Sequence, residues 1–185
     1  MEDFDSNRYG PSVARLLALD GNGTRAMPLT CGEAVVSTEV REALKAAMST
    51  VLFPDTDHWD AAMAGLWLYF YAFEEAHALV AGSETAECAL WHAILHRQEP
   101  DSGNAAYWFR KAGSHPVFSK LSRAAARILE RIPEAEFGAG RWDPFAFIAF
   151  CERARMQPGS RQELAAREIQ LAEWQILFDH CARRR

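Results

Sequence analysis

A chain of 185 residues, 49% of them apolar and 24% charged, has the size and balance of one soluble globular domain that buries its own core without staples. Net charge is −5 and the basic residues gather on no single face, which argues against a nucleic-acid partner. The longest apolar run, Ala61 to Phe73, holds 13 residues, too short to cross a bilayer, so no membrane partner is expected. An acidic N-terminus without a signal-like apolar core, and four widely spaced cysteines (Cys31, Cys88, Cys151 and Cys181), point to reduced thiols in a cytoplasm.

In chain order, residues Met1–Tyr9 read as a flexible N-terminus. Pro11 opens a first helix that ends at Asp20-Gly21-Asn22-Gly23. Thr24 to Ser37 is the least regular stretch; its Met27-Pro28-Leu29 is suited to covering a core opening, and Val35-Val36 to a strand fragment without a visible partner. A second helix runs from Thr38 to about Ser49, with Val40, Leu44, Ala47 and Met48 on one face.

Asp57, with Asp60 three residues on, is the expected cap of a third helix that continues to about Val80. Its apolar residues surround it nearly completely, which places it in the middle of a bundle. Thr85 to Gln98 forms a fourth helix and Asn104 to Ala112 a fifth. A sixth, Val117 to Ile132, packs Leu121, Ala125, Ile128 and Leu129 inward. Asp143-Pro144 starts a seventh, ending near Arg155, and Ser160 with Glu163 caps an eighth, Arg161 to Ala182. Arg183-Arg184-Arg185 is a flexible basic tail. No segment alternates with period two. The expected fold is therefore all-α, a single-domain multi-helical bundle of seven to eight mostly antiparallel helices.

Chemistry-bearing residues concentrate between Trp91 and Arg110. His92 and His96 stand one helical turn apart and so share a face. Glu74 and His77 precede them in the spacing Glu-x-x-His that carboxylate-bridged metal bundles use. If the chain turns near residue 84, residues at equal height on the two arms sum to about 168. His77 then lies beside His92, and Glu74 between His92 and His96. Glu74, His77, His92 and His96 are accordingly the candidate metal ligands, a set suited to zinc, nickel or iron(II).

Glu99 and Asp101 are the candidate catalytic carboxylates, as general base or as partners of the ligands. Arg97, Asn104, Tyr107, Trp108 and Arg110 are candidate binding residues for a small anionic molecule. The arginines would fork onto its oxygens, Asn104 would cap a helix N-terminus and the aromatics would form walls. Metal-assisted hydrolysis would follow. The alternative is a metal-free ligand-binding or protein-interaction module in which this polar cluster clamps a helix corner. The other histidines carry ordinary expectations: His58 exposed beside a cap, His115 in a turn, His180 a cation at a helix C-terminus.

The run His92-Ala-Ile-Leu-His96-Arg97-Gln-Glu99-Pro-Asp101-Ser-Gly103-Asn104-Ala-Ala-Tyr107-Trp108-Phe109-Arg110, followed by Gly113-Ser-His115-Pro116, resembles a family of bacterial all-helical proteins of uncharacterised activity. Their signature is H-R-x-E-x-D-x-x-N-x-x-Y-W-F-R, and the resemblance extends to Gly65-Leu-Trp-Leu-Tyr-Phe, to Glu74-Glu-Ala-His77 and to Glu173–Cys181. It implies the fold class and no functional residue. One histidine on one helix and His-x-x-x-His on another is also similar, in architecture alone, to the DinB-like metal-binding four-helix bundles. There the first histidine lies far upstream of the pair, whereas His77 is in the adjacent arm.

Overall fold

A computed structural model describes residues 4–183 except 48, 55, 136 and 139, and, of residues 49 and 50, the backbone only. The expectation for Met48 therefore lies outside the described residues, as does that for the end of the basic tail. The described residues form ten α-helical segments and no strand: α1 Pro11–Leu17, α2 Thr38–Ala46, α3 Ser49–Leu52, α4 Trp59–Tyr69, α5 Phe73–Ala81, α6 Ala86–Gln98, α7 Ser102–Ala112, α8 Val117–Arg131, α9 Pro144–Arg155 and α10 Arg161–Ala182. The fold is an all-α, multi-helical single domain. No helix among the described residues is long and apolar enough to cross a membrane.

Caps explain where several helices start. Thr85, Asp143 and Ser160 each accept a backbone N–H from the first turn of α6, α9 and α10. The expected third helix is two. Helix α4 stops at Tyr69, where Ala72 N donates to Trp67 O (2.9 Å) and Tyr71 N to Leu68 O (3.1 Å), the paired bonds of a Schellman ending. Tyr71 takes the left-handed conformation (φ +65°) that this ending requires. The Arg25 guanidinium lies 4.1 Å from its ring centroid and covers it. Asp57 does not cap α4. His58 holds that position with no side-chain cap bond to the first turn, and Asp60 accepts from Ala61 N and from the Cys88 thiol.

Residues 4–9, expected as a loose terminus, dock on α10. Phe4 sits 5.5 Å from the Trp174 ring, and the Tyr9 hydroxyl donates to Asp179 (3.1 Å). Met27 and Leu29 close the core as anticipated, each 1% exposed. The loop is held by Gln98 and Gln170, whose side-chain amides both donate to Pro28 O, and by Gln175 on Gly23 O. Val35, by contrast, is exposed and belongs to no strand.

The core has two parts. One joins α1, α2 and α4–α7 to the C-terminal half of α10; the other joins α8 and α9 to its N-terminal half. Helix α4 is the axis of the first part, with every residue from Ala61 to Phe70 buried. Gly65 permits its closest approach: a Cβ there would stand 2.8 Å from the Trp91 ring, and Trp174 Nε1 donates to Gly65 O (2.8 Å). This packing fixes the position of α6, the helix that carries the site.

Candidate metal centre

Helices α5 and α6 form an antiparallel hairpin across Gly82–Thr85. The register expected from the sequence brings His77 against His92, with Nε2 to Nε2 2.8 Å. His96, one turn along, stacks under His92 with ring centroids 4.8 Å apart, and its centroid is 5.4 Å from that of His77. One nitrogen from each of the three imidazoles lies within 4.8 Å of the others. His92 and His96 are buried, 4% and 7% exposed, and His77 is half-buried.

The surroundings select protonation states. His96 Nδ1 donates to Glu99 Oε2 (2.8 Å), which leaves its Nε2 as the free lone pair. Burial pushes the His92 pKa down to about 4, and the neighbouring His77, His96 and Lys111 push the same way. His92 is therefore neutral at physiological pH, the form that binds metal. Trp108 of α7 covers it, stacked at 3.8 Å and 17°, and Lys111 Nζ lies 4.7 Å from the Trp108 ring centroid. His92 Nδ1 is buried without a hydrogen-bond partner.

A tetrahedral ion with bonds of 2.0–2.1 Å separates its ligand atoms by about 3.3 Å. The His77–His92 pair, at 2.8 Å, would have to open by about half an ångström, a side-chain adjustment. The donor set thus fits a borderline metal such as zinc: three imidazoles, one of them oriented by a carboxylate.

The other expected residues part company. Glu74 is exposed in the first turn of α5, outside the histidine set; three residues turn it about 60° away from His77. Asp101 caps α7 by accepting Asn104 N (3.0 Å), so it is the cap where Asn104 was expected. The Asn104 amide instead reaches toward His96 Nδ1, at 3.5 Å. Tyr107 is exposed, edge-on to Trp108.

Arg97 is the clearest correction. Its side chain is wholly buried on the far side of α6, paired with Glu173 and donating to Gln170 Oε1 (3.2 Å), above the Phe147 ring. It joins the two parts of the core and has no open side for a ligand. Arg110 faces Phe145 in a surface cleft shared with Arg123 and Arg141. Arg97, Glu99, Asp101 and Arg110 therefore make four separate interactions.

Two neighbours had no local signal in the sequence. Lys111 is the cation beside Trp108. Cys31 has its N–H on Gln98 O (2.8 Å); burial raises its thiol pKa, and Glu99 and Glu74 add to the rise. All four cysteines are free thiols.

No family model, curated protein or solved structure matches the chain.

Proposed function

We propose that this protein binds one divalent transition-metal ion through His77, His92 and His96, and uses the ion for metal-assisted hydrolysis of a small anionic substrate. The observation that carries the reading is the convergence of three imidazoles from two helices at one point, two of them buried. Three protein ligands leave a fourth position for water or substrate, the arrangement of catalytic rather than structural zinc. An ion there would lower the pKa of coordinated water to about 7 and polarise a carbonyl or phosphoryl oxygen.

The chain's own residues take defined parts. Glu99 is a positioning residue: its hydrogen bond holds His96 with Nε2 toward the ion. Trp108 shields one face from water. Lys111 supplies the positive charge that an anion would meet, in place of Arg97 and Arg110.

A metal-free module is the second reading. It is favoured by the 2.8 Å His77–His92 hydrogen bond, which is complete without an ion, and by the absence of an acceptor for His92 Nδ1. Cobalt(II) titration followed by visible absorption separates the two. The metal reading expects a saturable d–d band that loses one bound cobalt per chain in His96→Ala. Glu99→Gln should weaken cobalt binding about 10–100-fold while the protein stays folded. No band in the wild-type protein, or one indifferent to both substitutions, would leave the metal-free module standing.

A further inference from the structure

The chain has six histidines. Three form the centre just described, and the other three gather around a single carboxylate on the same helix. Glu87, in the first turn of α6, turns Oε1 toward His180 Nε2 at 3.1 Å, His115 Nε2 at 3.5 Å and His58 Nε2 at 3.5 Å. The four side chains come from distant parts of the chain: the residue before α4, α6, the loop before α8, and the last turn of α10. Their side-chain exposures run only from 5% for His115 to 20% for His180.

An ion pair does not account for this geometry. One carboxylate oxygen has two lone pairs, yet three ring nitrogens aim at it, and a separation of 3.5 Å is too long for a good N–H···O bond. The distances do fit the edges of a coordination tetrahedron, about 3.3 Å for bonds of 2.0–2.1 Å. The separations of Glu87 Oε1 from His180 Nε2 and His58 Nε2, 3.1 and 3.5 Å, straddle that value. The same atom, Nε2, is presented by all three rings. His58 and His180 lie nearly parallel with centroids 5.8 Å apart, and His115 stands edge-on to His180 at 4.8 Å.

We infer that Glu87, His58 and His180 form a second metal site, a three-ligand centre for a zinc-like divalent ion, with His115 beside it on Glu87. The ligand atoms of these three side chains all lie within 4.8 Å of one another. The site ties the C-terminal end of α10 to the start of α4 and to α6. It is separate from the His77 centre. Glu87 and His92 are five residues apart, about 140° around α6 and about 7.5 Å along it, so the sites open on different faces and share no bridging ligand.

The test uses the full-length chain with the first centre removed, His92→Ala/His96→Ala, loaded with zinc and dialysed against metal-free buffer. Elemental analysis should find one zinc per chain, and zinc should raise Tm by several degrees. Adding Glu87→Gln or His180→Ala should bring the content to zero and abolish the shift. In the otherwise wild-type chain, Glu87→Gln should lower the content from two zinc ions to one, which serves where the multiple variant does not fold. One ion in the wild type, kept in His92→Ala/His96→Ala and lost in Glu87→Gln, would fail the His77 centre and uphold this one. A folded His92→Ala/His96→Ala protein that retains no zinc, or zinc content indifferent to Glu87→Gln and His180→Ala, would overturn the inference.

Discussion

Arg97 shows what a side chain's spacing does and does not say. Its position in His-Arg-x-Glu-x-Asp suggested a ligand-binding arginine, but it points off the opposite face of α6, and its partner Glu173 is 76 positions away. Nothing local in the sequence names that partner. Burying both charges is costly, and their attraction together with the bond to Gln170 offsets the cost only while all are present. Arg97→Ala strands the Glu173 carboxylate and should lower stability by about 3–5 kcal/mol, measured by urea denaturation. Metal stoichiometry of the folded fraction should not change; a loss of metal there would return Arg97 to the site. His77, His92 and His96 were legible for the opposite reason. Their geometry depends on one turn of helix and one short hairpin, both of which sequence spacing specifies.

Among elements, legibility followed the caps. Asp143-Pro144 and Ser160 mark the starts of α9 and α10 because those side chains bond the first-turn amides. The break between α4 and α5 was hidden because tyrosine rather than glycine takes the left-handed position, under cover of Arg25 from a distant loop. The start of α10 also carries a pH signature. Gly159 N donates to Glu163 Oε2 (2.6 Å), and this bond, with help from Arg167, lowers the carboxyl pKa below its ordinary value of 4.5. A lowered native pKa means that the stabilisation is fully present above the unfolded value and is lost as pH falls through 4.5 and below. Glu163→Gln should therefore cost about 0.5–1 kcal/mol at pH 7. The gap between variant and parent should close in acid, as thermal melts across pH would record. A gap independent of pH would mean that the charge contributes nothing.

At the scale of the molecule, α6 is the common member. Buried on nearly every face, it sends His92 and His96 toward α5 and α7, Glu87 toward three other histidines, and Arg97 and Gln98 toward α10 and the Pro28 loop. The all-helical class was readable from periodicity. The grouping of His58, Glu87, His115 and His180 was not, because it exists only once α4, α6, α8 and α10 have packed. For the same reason His58 was expected in solvent, whereas its side chain is 14% exposed.

The central claim is that His77, His92 and His96 bind one ion together. Crystals grown with zinc, with diffraction collected on both sides of the zinc absorption edge, test it most directly. The account predicts an anomalous peak about 2.0–2.1 Å from Nε2 of all three rings, with the His77–His92 separation opened to about 3.3 Å. Density showing these nitrogens still at hydrogen-bonding distance, with no anomalous signal between them, would contradict it.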